Sequence, residues 1–332
     1  MALLGLGLLV LLLILQLGGL PGRLGCGGGG HGAGDGLPGG GGGEIVGRAR
    51  DDGPAGEGPA QEEAESPMAA DEDGLDAPEA LVPEVVAVYP HDPGAFTQGL
   101  LVHEDRVYES TGLRGRSSLR RVRPATGEIE LRRDLEPRLF GEGLARRGDR
   151  LVQLTWEAGR ALVYDLSTFA PLAEHAYPGE GWGLCFDGSR FIRSDGSDRL
   201  FFHRPDDFRD AGSVVVRRRG RPVRRLNELE CVDGVVWANV WMEDVILRID
   251  PTSGEVTGEV DARALSRATR AARRADAVLN GVAHLPGTDR FYVTGKLWDR
   301  LYEVRFVPAD REGRPGPEAA AKNTPASPPK SP

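Results

Sequence analysis

Five short motifs place side chains capable of polar chemistry at recurring intervals along this 332-residue chain. They are Gln98-Gly99-Leu100, Glu142-Gly143-Leu144, Trp182-Gly183-Leu184, Asn227-Glu228-Leu229 and Asn280-Gly281-Val282. The aliphatic residue repeats in kind, and so, in all but one motif, does the glycine. That repetition marks them as architecture: glycine lets backbones crowd together and the aliphatic side chain packs. The residue in front changes in nearly every motif, from amide to acid to indole. A structural position keeps its residue type, whereas a ring of unlike polar and aromatic groups is what a binding site needs. The plain alternative is a water-filled channel lined by satisfied polar groups.

The elements that must carry these motifs read as strands. Apolar or alternating runs recur, broken by Asp-Gly, Gly-Asp and Pro-Gly turns. They include Leu100 to Tyr108, Arg150 to Thr155, Arg190 to Arg193, Val235 to Val240 and Arg290 to Thr294. The motifs return every 40 to 50 residues or so, the period of a propeller blade of four strands. The expected fold is all-β, a five-bladed β-propeller over residues 82–307, with the changing residues at the mouth of its channel. Only Ala262 to Ala277 looks helical, and its lack of an apolar stripe makes it a surface insertion.

Composition bounds the rest. Residues 1–25 are a signal peptide or membrane anchor, since Met1 to Leu20 is almost purely apolar. Residues 26–81 are Gly-, Pro- and acid-rich and cannot build a core, so they read as a disordered linker. Residues 308–332 form a disordered tail. Cys26 follows Leu24-Gly25, which makes lipidation there an open alternative to cleavage of the leader. Export follows: a periplasmic, membrane-anchored or extracellular protein that touches membrane only through its N-terminal segment. The net charge of −9 gives no reason to expect nucleic acid. The arginines at 217–219, 221, 224 and 225 read as a solvated face. Cys185 and Cys231 sit in apolar runs and are expected as buried free thiols, with a disulfide, which export would permit, as the alternative. No Cys or His spacing suits zinc. A closed propeller leaves few free edges, so a monomer is expected.

The ordered set of motifs resembles the plant and bacterial type of glutaminyl cyclase. It runs from Phe96-Thr97-Gln98-Gly99-Leu100 through Tyr108-Glu109-Ser110-Thr111, Phe140-Gly141-Glu142-Gly143-Leu144, Leu154-Thr155-Trp156, Gly181-Trp182-Gly183-Leu184 and Ser194-Asp195-Gly196-Ser197. It continues through Leu226-Asn227-Glu228-Leu229-Glu230, Ala238-Asn239-Val240-Trp241, Leu279-Asn280-Gly281-Val282 and Val293-Thr294-Gly295-Lys296. The resemblance implies a cyclotransferase that converts the N-terminal Gln of peptides or proteins to pyroglutamate. It puts the acid/base on Glu142, and binding or polarising roles on Phe96, Gln98, Trp156, Trp182, Asn227, Trp241 and Lys296. It implies no catalytic cofactor and leaves room for a structural calcium ion.

The residues suit that chemistry. One carboxylate can take a proton from the attacking amine and return it to the leaving nitrogen. Asn227 and Lys296 can hold an oxyanion, with Gln98 fixing an amide or amine. Trp156, Trp182 and Trp241 would wall the pocket and desolvate the acid. Lys296 could instead pair with Glu228 or Glu230. Two other functions compete: an exported propeller that binds without catalysis, and a metal-dependent lactonase recruiting Glu109, Glu142, Asn227, Asn280 and Glu230.

Overall fold

The computed structural model describes residues 77–310 and 313–316. The leader, Cys26, the linker up to residue 76 and the tail beyond residue 316 lie outside the described residues. What is described is built almost entirely from strands.

The chain enters through β1 (Glu79–Pro90) and then lays down four-stranded meanders in sequence. The first meander is β2 (Thr97–His103), β3 (Arg106–Thr111), β4 (Ser118–Arg123) and β5 (Glu128–Asp134). The second is β6 (Gly141–Arg147), β7 (Arg150–Thr155), β8 (Arg160–Asp165) and β9 (Pro171–Ala176). The third is β10 (Leu184–Phe186), β11 (Phe191–Arg193), β12 (Arg199–His203) and β13 (Asp210–Val215). A short hairpin, β14 (Arg217–Arg218) with β15 (Arg221–Pro222), carries part of the arginine cluster on an exposed face.

Then come β16 (Leu226–Val232), β17 (Val235–Val240), β18 (Val245–Ile249) and β19 (Val256–Asp261). After the helix α1 (Arg263–Ala268) follow β20 (Leu279–His284), β21 (Arg290–Gly295) and β22 (Arg300–Pro308). β1 returns to complete this last set. It pairs antiparallel with β22 from Leu81 to Pro90, and parallel with β19 over Glu79 to Leu81. One eight-stranded sheet results, in the order β16-β17-β18-β19-β1-β22-β21-β20. The N-terminal strand thus ties the last meander to the one before it.

The first strands are neighbours in a closed ring. β2 packs on β6 and on β20, β6 on β10, β10 on β16, and β16 on β20. Glycine makes this approach feasible. A Cβ added at Gly99 would lie 2.5 Å from the Leu144 backbone nitrogen, and one at Gly143 would strike the backbone of Leu184. The core lies between successive sheets. Leu101, Tyr108 and Leu119 meet Leu144, Leu151 and Leu162 in one layer; Val152, Leu154 and Ala161 meet Leu184 and Phe191 in the next. Burial decays outward along each meander: β2 and β6 are nearly all buried, β9 and β13 nearly all exposed.

Three expectations need correction. Leu100 to Tyr108 is not one strand but parts of two, reversed at Glu104, whose φ of 56° marks the turn. The helix stops at Ala268, far short of Ala277. Its start has no side-chain cap, and the Asp299 carboxylate accepts hydrogen bonds from the Thr269 hydroxyl (2.9 Å) and the Arg270 amide (3.0 Å), holding the chain in turns. Leu265 is buried, so even this insertion is anchored. Finally, Cys185 and Cys231 are not free thiols; they form a disulfide with Cα atoms 5.4 Å apart. The pairing follows from the close packing of β10 on β16.

Candidate active site

The changing residue of each motif sits where its strand departs from regular pairing. Register shifts fall between Thr97 and Gly99 in β2, Gly141 and Leu144 in β6, Leu226 and Leu229 in β16, and Leu279 and Val282 in β20. β10 begins only after Trp182 and Gly183. A bulge re-aims a side chain that a flat strand would bury between sheets. Here the same bulge, repeated at the same end of successive first strands, turns Gln98, Glu142, Asn227 and Asn280 out of the ladder.

The polar centre is built from three of these strands and one turn. The Gln98 amide donates from Nε2 to Glu142 Oε1 at 2.9 Å. Its orientation is set from behind: Asn280 Nδ2 donates to the Thr97 carbonyl (3.0 Å) and, at 3.4 Å, to Gln98 Oε1. Gln98, Glu142, Asn227 and Lys296 are all at least 95% buried. Burial pushes the Glu142 carboxyl well above the usual range. The Lys296 charge opposes that shift and Glu180 adds to it. Burial pushes Lys296 the other way, down to about 8, with Glu142 resisting. The two groups are therefore coupled, and neither is locked in its ordinary state. Lys296 follows β21, where its amide bonds the Val278 carbonyl (2.9 Å) and Leu297 bonds the Ala95 carbonyl (2.7 Å). Its ammonium sits 4.9 Å from the Phe96 ring centre. No ion pair joins it to Glu228 or Glu230. Glu228 instead accepts from the backbone amides of Leu100 (3.2 Å) and Val282 (2.8 Å), and Glu230 from that of His284 (2.9 Å).

Aromatic side chains run in an arc around this centre. Phe96 meets Phe140 edge to face at 6.1 Å, and Phe140 meets Trp156 at 5.6 Å. Glu180 then bridges two indoles: its Oε2 accepts from Trp156 Nε1 (2.7 Å) and Trp182 Nε1 (2.9 Å). Trp182 packs edge to face on Trp241 at 5.7 Å. Asn227 closes the circuit through the backbone, its carbonyl taking the Ser194 hydroxyl at 2.6 Å. Its side-chain Oδ1 is buried with no partner. That oxygen can accept a hydrogen bond from a ligand.

Of the residues given site roles from the sequence, Phe96, Gln98, Glu142, Trp156, Trp182, Trp241 and Lys296 lie in this arc or its centre, and Asn227 is tied to it through its backbone carbonyl. Phe140 and Glu180 belong to it without a role assigned from the sequence: Phe140 lies within a quoted motif, and Glu180 lies between two glycines two residues before Trp182. Glu109 and Asp195 do not join. Glu109 is consumed by His91 (3.0 Å) and Thr97 (2.7 Å), and Asp195 accepts from the Ser197 amide (2.9 Å). Among the described residues no three His, Cys, Asp or Glu side chains are grouped to hold a metal ion.

A buried acid raised in pKa, facing an amine lowered in pKa between aromatic walls, can move protons during attack of one nitrogen and departure of another. This is an all-β protein with a buried acid and a buried amine at one end of its first strands. The glutamine cyclotransferase family model matches residues 60–306. The chain is 43% identical over 231 residues to the glutaminyl-peptide cyclotransferase of Arabidopsis thaliana, covering 68% of this chain and 72% of that protein. It matches the crystal structure of Myxococcus xanthus glutaminyl cyclase with a TM-score of 0.67 and 43% identity, over 70% of this chain and 100% of that one. The chain belongs to the glutamine cyclotransferase family.

Proposed function

We propose that this protein cyclises the N-terminal glutamine of peptides or proteins to pyroglutamate, releasing ammonia, with Glu142 as its proton shuttle. The observation that carries the reading is the Gln98–Glu142 hydrogen bond in a buried centre shared with Lys296.

The reaction is intramolecular, so holding the substrate folded over supplies much of the rate. The α-nitrogen attacks the side-chain amide carbon and gives its proton to Glu142. Lys296 and the Nδ2 donor of Asn227 hold the negative oxygen of the tetrahedral intermediate. Glu142 returns the proton to the amide nitrogen, the C–N bond breaks, and ammonia leaves a five-membered lactam. Phe96, Trp156, Trp182 and Trp241 enclose the compact substrate, and Gln98 orients it. No step is routed through a metal ion.

The fold that supports this is a five-bladed β-propeller, each four-stranded meander one blade and β1 the closing strand. The ring of first strands and the outward decay of burial both support it. The enzyme acts as an exported monomer, tethered or released at its N-terminus. The Cys185–Cys231 disulfide supports an oxidising compartment. The test is mass spectrometry of peptides beginning with Gln, Asn or Glu after incubation with the protein. Loss of ammonia from the Gln peptide alone is expected; an unchanged Gln peptide sinks the assignment.

A further inference from the structure

Glu180 is a carboxylate built for a cation that the protein itself does not provide. Its Oε2 is fixed by two indole N–H groups, from Trp156 and Trp182. Its Oε1 accepts no hydrogen bond from any described residue, and among the described residues no Lys, Arg or His forms an ion pair with it. The residue is partly buried, at the break in the aromatic arc, and close enough to Glu142 to raise that group's pKa.

The segment beneath it is rigid. The Glu180 carbonyl accepts from Arg193 Nη1; the Gly181 amide bonds the Trp156 carbonyl (3.0 Å) and the Trp182 amide the Ser194 carbonyl (3.0 Å). Arg193 is itself buried, lies 5.0 Å from the Tyr177 ring centre and 4.5 Å from that of Phe201, and is held on His203 at 3.1 Å. A buried guanidinium shared between this backbone carbonyl and the His203 imidazole preorganises the carboxylate of the same residue.

The reading above requires a substrate whose reacting nitrogen arrives largely as an α-ammonium ion, with an ordinary pKa of about 7.7–8.0. Tryptophan faces attract such a cation, and a fixed carboxylate between two of them gives it a charge-assisted partner. Resting on that cyclase reading, we propose that Glu180 docks the substrate's α-ammonium group and so selects peptides with a free amino terminus. The docked ammonium first loses one proton to water, and Glu142 then acts on the neutral amine already in place.

Binding separates the proposal from turnover. A Gln-Ala dipeptide amide and its N-acetylated counterpart are titrated by calorimetry into the full chain carrying Glu142→Gln, which cannot shuttle the proton. The free-amine peptide is expected to bind about tenfold tighter or more, the scale of one charge-assisted hydrogen bond. Adding Glu180→Gln is expected to abolish that preference while keeping an acceptor oxygen for the indoles. Glu180→Asp, which keeps the charge, should restore part of it and exclude misfolding as the cause. A preference that survives Glu180→Gln overturns the proposal even if the parent protein releases ammonia. A preference that needs Glu180 in a protein that releases none upholds the docking role and removes the cyclase reading. Failure of the free-amine peptide to bind overturns both.

Discussion

Glu142 and Lys296 perturb each other, and the pH profile should show it. Burial raises the acid and lowers the amine to about 8, while each charge partly holds the other in its ionised form. For catalysis the acid must accept a proton and the ammonium must hold the oxyanion. The profile of kcat should therefore be a bell, with its acid limb above the usual carboxylate range and its alkaline limb near pH 8; the two limbs belong to the coupled pair. Lys296→Met should cost on the order of 10²–10³ in kcat. It should also remove the alkaline limb and move the acid limb to higher pH, since the charge that lowers Glu142 is gone. An acid limb that stays in place would show that the two groups do not communicate. At this scale the sequence was most informative. The residues in front of the repeated glycines stood out because they failed to repeat. Glu180 did not, because an acid between glycines carries no mark of the two indoles that fold back onto it.

At the scale of elements, the strands were legible in part. Arg150 to Thr155 and Val235 to Val240 are strands with the expected bounds, because turn residues flank each apolar run. The bulges were not legible. A bulge is set by how two strands register, and nothing in the composition of Glu142-Gly143 announces one. The helix was over-read for a related reason: Ala and Arg favour helix locally, but Asp299 ends it from a distant turn. The disulfide also depends on register, here of β10 against β16. It closes a sequence separation of 46 residues. Chain entropy assigns such a cross-link about 4 kcal/mol. Replacing both cysteines with serine should lower the urea midpoint accordingly, and reductant should then have no further effect. A midpoint equal to that of the parent would mean that packing of β10 on β16 already supplies the constraint.

At the scale of the whole described unit, the ring is clamped across its middle by one acid. Glu228 is fully buried and reaches from β16 to amides of both β2 and β20. Burial raises its pKa well above 4.5, outweighing the two amides that would lower it. A folded value above the unfolded one means stability that is fully present below the unfolded pKa and lost as pH rises through the folded pKa. Glu228→Gln keeps an acceptor and removes the titration. The variant should therefore gain on the parent as pH is raised from about 5 to about 8 in urea unfolding. A constant difference across that range would place the pH sensitivity elsewhere. The repeat that gives this ring was readable because each unit reuses one packing solution; the clamp was hidden because it spans three units and no local pattern encodes it. The central claim is that Glu142 moves the proton without a metal. The most direct measurement is ammonia release from a Gln-initiated dipeptide by the full chain, by the same chain after chelator treatment, and by Glu142→Gln. Release by the first two, with a loss in the variant of about 10²-fold or more, is predicted. Equal release by the variant, or none after chelation, would contradict it.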